Sequence, residues 1–100
     1  MANIDDLIEY HDENLNLDFK GAQYTKENHA DLIKDIIAMA NADTNDECYI
    51  IIGVIRNSEG QKELRGIDRK DFIDDANYQQ IIQENVEPDI KFEYSLHEYE

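Results

Sequence analysis

Basic side chains are concentrated in one short part of this chain. Of its nine Lys and Arg residues, five lie between positions 56 and 70, together with three acidic residues. Cationic side chains contact phosphate oxygens, so this stretch is a candidate for nucleic-acid binding. An edge hairpin guarded against strand pairing by lysine and arginine has the same composition, and that alternative stays open. The five residues are Arg56, Lys62, Arg65, Arg69 and Lys70.

Carboxylates are concentrated in a hydrophilic loop that ends at Glu47. Asp43, Asp46 and Glu47 carry the oxygen ligands that divalent cations prefer. Their spacing lacks the pattern and the glycine of a calcium-binding loop, so a solvated loop is the simpler interpretation.

The histidines and the cysteine show no catalytic or metal-binding pattern. His11, His29 and His97 are too far apart in sequence for metal-ligand spacing. Cys48 opens an apolar run, which favours a buried, inert thiol over a nucleophile. The glycines form no phosphate-binding loop.

The composition limits the classes of partner. With 24 acidic and 9 basic residues the net charge is −15, so nucleic acid or an anionic membrane is attracted only through a local basic patch or a cation. No apolar run approaches membrane-spanning length, and one cysteine cannot form an internal disulfide. We therefore expect one soluble, cytoplasmic domain with no membrane partner.

The first half of the chain predicts a helix, a strand and a second helix. Asn3 caps the short first helix, and residues 15–20 alternate with period two, as in a half-buried strand. The second helix runs from about Thr25 to Asn41. The strand is expected to bury Leu15, Leu17 and Phe19. The second helix is expected to bury Ala30, Ile33, Ile36, Ile37 and Ala40, with Leu32 and Met39 widening its apolar stripe.

The middle of the chain predicts a hairpin. The apolar run over residues 48–55 is typical of a strand buried on both faces, and therefore central in its sheet. Residues 57–60, Asn-Ser-Glu-Gly, form a turn signal, and residues 62–67 return as a shorter strand.

The last third predicts a helical region and a final strand. Asp68 caps the helical region, Asn77 divides it and Pro88 closes it. Residues 90–97 alternate as a last half-buried strand. The predicted order is α-β-α-β-β-α-β, an α+β fold with helices packed on a mixed sheet.

Four motifs in this order resemble the Schlafen-type, Alba-like domain. They are LDFKG at 17–21, the helix end IIAMANADT at 36–44, YIIIGV at 49–54 and LRGID at 64–68. The resemblance covers about Glu13 to Pro88. It implies an Alba-like fold of a family associated with DNA binding. Its members are often the N-terminal part of longer bacterial regulators, some of them ATP-binding.

The resemblance also implies a place for carboxylates. In animal Schlafen proteins a related domain cleaves RNA with three of them, and two lie five residues apart around the first strand. Glu13 and Asp18 match that spacing and are the candidate metal ligands. The third position holds Ile55 and Arg56 here, and the family's Gly-Gly turn is missing. An ion pair between Asp18 and Lys20 on one strand face is the alternative interpretation.

Three functions follow as hypotheses. The first is a non-catalytic nucleic-acid-binding module of a larger bacterial or phage regulator, with no cofactor beyond an occasional divalent cation and no catalytic residue. The second is a self-association or protein-interaction module, with a homodimer as partner. The third is a metal-dependent nuclease. We also expect the chain to be the N-terminal fragment of a longer protein. The candidate nucleic-acid contacts are Lys20, Arg56, Lys62, Arg65, Arg69 and Lys70.

Overall fold

The computed structural model describes residues 3–14, 16–42, 47–87 and 90–99. Three helices and four short strands form an α+β domain, as predicted. Two 3-10 turns, Lys26–Asn28 and Arg69–Asp71, precede the second and third helices. The elements are α1 (Ile4–Tyr10), β1 (Leu17–Lys20), α2 (His29–Ala40), β2 (Tyr49–Ile52), β3 (Val54–Arg56), β4 (Lys62–Leu64) and α3 (Asp75–Asn85).

The predicted helix starts are confirmed by their capping contacts. The Asn3 side chain accepts hydrogen bonds from the backbone N–H groups of Asp5 and Asp6, at 2.9 and 3.3 Å. At Thr25 the backbone N–H donates to the Asn28 side chain, and the 3-10 turn leads directly into α2. These contacts satisfy N–H groups that the first turn of a helix leaves without partners.

The expected central strand over residues 48–55 is wrong in two respects. It is divided at Gly53, which lies between β2 and β3 and has a positive φ of +101° that a strand residue does not adopt. It is also only half-buried, because β2 pairs in parallel with β1 in a two-stranded sheet. The register aligns Phe19 with Ile51, and the Gly53 N–H continues the ladder to the Lys20 carbonyl at 2.6 Å.

The predicted hairpin is confirmed, although its second strand is shorter than expected. β3 and β4 pair antiparallel, with Arg56 opposite Lys62. The Asn57 side chain accepts from the N–H groups of Glu59 and Gln61 at 2.9 and 3.0 Å, which closes the turn.

The main core lies between α2, α3 and the sheet. Leu32 is 2% exposed and is the buried residue of α2, with the three isoleucines of that helix partly buried around it. Ala30 and Ala40, expected in the core, are exposed. The apolar stripe is therefore centred on Leu32. The buried residues of this cluster are Tyr24, Leu32, Tyr78, Ile82 and Val86.

A second set of buried residues lies outside that cluster. Leu7 and Ile8 of α1 are 9% and 6% exposed, and Leu17 and Val54 of the two sheets are buried as well. Leu7 and Ile8 of α1 are therefore covered by the rest of the domain. Leu15 lies outside the described residues.

The third helical region divides earlier than predicted. Asp68 caps the 3-10 turn and Asp74 caps α3, with its side chain accepting from the Ala76 N–H at 3.2 Å. Asn77 lies inside α3 and divides nothing, and Val86 follows the helix as its C-cap. Pro88 lies outside the described residues.

The expected last strand over residues 90–97 is wrong, because residues 90–99 form no strand. Their burial still alternates, with Ile90, Phe92 and Tyr94 packed on the core. Their backbone bonds go to side chains of α3. Gln79 donates to the Phe92 carbonyl, and the Tyr94 N–H donates to Asp75 at 2.7 Å. Within the four described ranges, no helix has the length and apolar character needed to cross a membrane.

Candidate nucleic-acid interface

The carboxylates of Glu13 and Asp18 lie together, as their spacing suggested. A tight turn brings Glu13 back to β1, with the Asn14 N–H donating to the Leu17 carbonyl at 2.9 Å. The Glu13 side chain accepts from the Phe19 N–H at 3.2 Å. A side-chain hydrogen bond with Asp18, and to a lesser extent burial, raises the pKa of Glu13.

Lys20 provides a cation next to this carboxylate pair. Its Nζ lies 3.2 Å from Asp18 and 3.5 Å from Asp35 of α2. Burial alone would lower the pKa of Lys20, but the two carboxylates outweigh it and raise the pKa. Asp35 also accepts a 2.6 Å hydrogen bond from the Tyr24 hydroxyl. The ion pair predicted between Asp18 and Lys20 is present, and it extends to a second carboxylate.

The carboxylates of the described residues are not grouped as metal ligands. No cluster of three or more Asp, Glu, His or Cys residues in these ranges could hold a metal ion. At the position of the family's third carboxylate, Ile55 is half-buried and Arg56 pairs with Asp12. Asp43 and Asp46, the alternative ligands, lie outside the described residues.

Two of the predicted phosphate contacts, Arg56 and Lys62, are already bound to other residues of the domain. Arg56 pairs with Asp12 and also donates to the Gly60 carbonyl. The Lys62 ammonium donates to the carbonyls of Ile8 and His11 at the C-terminal end of α1. It lies 4.8 Å from the centre of the Phe19 ring. Burial, followed by the charge of Arg56, lowers the pKa of Lys62.

The other three cations are much more exposed. The side chains of Arg65, Arg69 and Lys70 are 62%, 70% and 79% exposed. We call these three residues the exposed basic segment; it follows β4 and extends into the second 3-10 turn. Each has one acidic neighbour: Glu63 at 3.9 Å, Glu98, and Asp68 at 3.8 Å, respectively.

The exposed basic segment is tied to the sheet at one point. The Gly53 carbonyl accepts from the N–H groups of Arg65 and Gly66 at 2.7 and 3.0 Å. Gly53 and Gly66 approach closely, since a Cβ on Gly53 would lie 3.0 Å from the Gly66 Cα. The glycine that divides the predicted strand therefore also positions the first cation of the segment.

The remaining candidates take structural positions. His97 contacts Asp5 at 2.6 Å, and Cys48 is half-buried, with its Sγ 3.5 Å from the Met39 carbonyl. Sequence reasoning missed Asp12 and Asp35 as partners of Arg56 and Lys20. Their ion pairs join residues of different elements, so no local spacing signals them.

Comparison with known proteins agrees with this architecture. The family model described as Schlafen, AlbA_2 matches residues 13–100, which is most of the chain. No curated protein and no solved structure matches it. The family match begins at Glu13, so α1 precedes it, while both sheets and the exposed basic segment fall inside it. The chain therefore belongs to the Schlafen, AlbA_2 family and is, at the level of that family, a nucleic-acid-related domain.

Proposed function

We propose that this chain is a cytoplasmic nucleic-acid-binding module of a larger bacterial or phage regulatory protein, and that it binds without cleaving. The observation that carries the proposal is the exposed basic segment, Arg65, Arg69 and Lys70, in a domain of net charge −15. These side chains are the most exposed cations among the six that the sequence singled out. They supply the local attraction that nucleic acid needs on so acidic a protein.

The ion pairs of the exposed basic segment leave room for phosphate. Exposed pairs contribute only about 0–1 kcal/mol each, because solvent screens them and two long side chains must be ordered. Arginine binds a phosphate through two parallel hydrogen bonds, which a carboxylate 3.9 Å from Arg65 does not make as well. A phosphate can therefore replace Glu63 at Arg65, and the same exchange applies at Arg69 and Lys70.

The position of Lys20 supports the proposal that the domain does not cleave nucleic acid. Metal-assisted phosphodiester cleavage needs a cation that activates water and neutralises the charge developing on phosphate. Here the Lys20 ammonium lies close to both Asp18 and Asp35, and an ammonium does not ligate and acidify water as a metal ion does. A divalent cation there would have to displace it or tolerate its repulsion.

Binding is tested with a charge-matched pair of triple variants. Arg65→Gln/Arg69→Gln/Lys70→Gln removes the exposed basic segment. Lys26→Gln/Lys34→Gln/Lys91→Gln removes the same charge from other exposed lysines. Fluorescence anisotropy with single-stranded RNA, single-stranded DNA and duplex DNA is followed from low to physiological salt. We expect the first variant to bind more weakly and with a shallower salt slope than the second. Equal loss in both would contradict the assignment of the segment.

Cleavage is tested by incubating the purified chain with RNA, transfer RNA and DNA in magnesium or manganese. We expect the nucleic acids to stay intact. Cleavage that disappears in both Glu13→Ala and Asp18→Ala would establish the nuclease alternative. Cleavage that persists in both variants would indicate a contaminant.

Self-association is the second candidate, and Leu64 favours it. This side chain is 50% exposed on β4, a strand whose only partner within the described residues is β3. Exposed apolar side chains on edge strands invite pairing with a second chain. Sedimentation of the parent and of Leu64→Lys, together with the binding series, separates the candidates. A dimer that Leu64→Lys dissociates, without salt-dependent nucleic-acid binding, would favour this second function.

A further inference from the structure

The segment that precedes the family match holds two of the six candidate cations. Asp12 pairs with Arg56, and the carbonyls of Ile8 and His11 accept from Lys62. All three partners lie before Glu13, where the match to the Schlafen, AlbA_2 family begins. Both cations belong to the hairpin, at the facing positions of β3 and β4. One N-terminal segment thus occupies the cationic pair of the hairpin.

We propose that residues 3–12 form an intramolecular cover, which occupies Arg56 and Lys62 in place of phosphate and so limits nucleic-acid binding at the hairpin. The inference rests on the proposed function and adds regulation of the same basic surface. With the cover in place, binding uses the exposed basic segment. With the cover withdrawn, Arg56 and Lys62 join it, and the surface gains two contacts.

The two halves of the cover differ in how firmly they hold. Asp12 is 82% exposed, so its ion pair with Arg56 is screened by solvent and easily exchanged. Lys62 is held by two backbone carbonyls at the end of α1, where the helix dipole favours a cation. That helix is itself fixed by the buried side chains of Leu7 and Ile8. Arg56 is therefore the contact that is released first.

This difference selects the variant for the test. Deleting α1 would remove the buried side chains of Leu7 and Ile8 and so perturb the fold itself. Asp12→Asn changes only an exposed side chain and removes the ion pair with Arg56, while the Arg56 hydrogen bond to the Gly60 carbonyl stays. The control is Glu84→Gln on α3, which removes one negative charge from a carboxylate whose hydrogen bond comes from Gln80. Far-ultraviolet circular dichroism of both variants establishes that the fold is retained.

Affinity for a single-stranded RNA and a single-stranded DNA is measured by anisotropy across a salt series. We expect Asp12→Asn to bind about threefold to fivefold more tightly than Glu84→Gln, as the loss of one exposed ion pair allows. Its salt slope should steepen by about 0.7, the value for one additional phosphate contact on a single strand. In an Arg56→Gln background the same Asp12 change should give no gain.

The outcomes separate this inference from the proposed function. A parent that binds with a salt slope, while Asp12→Asn and Glu84→Gln bind equally, overturns the cover and leaves the function standing. A gain that persists in the Arg56→Gln background also overturns the cover, because general charge then explains it. Binding by Asp12→Asn alone would support a cover that is closed in the parent. No binding by the parent or by either variant would overturn both proposals.

Discussion

Replacing Gly53 by alanine should destabilise the domain more than replacing Gly60, although both glycines have positive φ. Gly53 has φ +101° and Gly60 has φ +81°. A Cβ on Gly60 would meet no atom within 4 Å, whereas a Cβ on Gly53 would lie 3.0–3.1 Å from three backbone atoms of Gly66. Gly60→Ala therefore measures the cost of the backbone conformation alone, and Gly53→Ala adds a backbone contact that no side-chain rotation relieves.

The magnitudes follow from these two contributions. A non-glycine residue at positive φ costs about 1–2 kcal/mol. Crowding a well-packed site adds about 1–3 kcal/mol. Alanine also restricts the unfolded chain, but that gain is common to both variants and cancels in their comparison. The free energy of unfolding should thus fall by about 1–2 kcal/mol for Gly60→Ala and about 2–5 kcal/mol for Gly53→Ala.

Urea denaturation followed by circular dichroism measures the difference. With a slope of about 1 kcal/mol per molar urea for a small domain, the two midpoints should differ by about 1 M or more. Gly53→Ala should also weaken nucleic-acid binding, because the Gly53 carbonyl holds the N–H groups of Arg65 and Gly66. Equal midpoints for the two variants would show that the close approach of Gly53 to Gly66 is not a constraint on folding.

Three further results are expected. The pKa of Glu13 is raised from 4.5, so the stability linked to its proton is present below pH 4.5 and lost as pH rises through the higher folded value. Glu13→Gln should therefore have a higher urea midpoint than the parent at pH 7 and not at pH 4. The same difference in midpoint at both pH values would contradict this. Tyr78→Phe removes a 2.8 Å hydrogen bond to the buried Tyr24 carbonyl and should cost about 1–3 kcal/mol of unfolding free energy, whereas an unchanged urea midpoint would refute that role. Lys20→Met should lose about 1 kcal/mol or less of unfolding free energy, because solvent screens the ion pairs of Lys20 with Asp18 and Asp35; a much larger fall in the urea midpoint would contradict this.

Local patterns were sufficient for the first two helices and the hairpin turn. The capping hydrogen bonds of Asn3 and of Thr25 are made with residues at most three positions away. A few adjacent residues therefore suffice to predict where these helical segments begin. Apolar spacing likewise located α2. It did not locate the centre of its buried face, because Leu32 is selected by the side chains of α3 that pack near it. The helix was predictable from its own residues, whereas the depth of each side chain was not.

Features that depend on distant parts of the chain were not predictable. The apolar run is interrupted at Gly53, where the backbone approaches Gly66 closely. This approach cannot be predicted from the residues of the run alone. The alternation of residues 90–97 correctly indicated that Ile90, Phe92 and Tyr94 pack on the core, but Leu96, the next position of the pattern, is 41% exposed. It did not indicate that Asp75 and Gln79, rather than a neighbouring strand, would take up the backbone hydrogen bonds. An alternating pattern indicates which side of a segment faces the core. It does not indicate which residues take up the hydrogen bonds of that segment's backbone.

The same limit applies to the candidate site. Arg56 and Asp12 are separated by 44 positions, so the basic stretch itself does not show that Arg56 is paired. Glu63 and Asp68, the partners of Arg65 and Lys70, lie within the stretch.

The partners of the six candidate cations bear directly on how this domain could bind nucleic acid. Every one of them has an acidic side chain or a backbone carbonyl as a partner, so each phosphate contact is an exchange of partners. Such an exchange gains little at a single cation, and the net charge of −15 opposes approach. Appreciable affinity therefore requires several exchanges at once on one strand. From the proposed function we therefore expect the domain to discriminate against short or sparsely charged anions, with an affinity that rises with the number of cations uncovered.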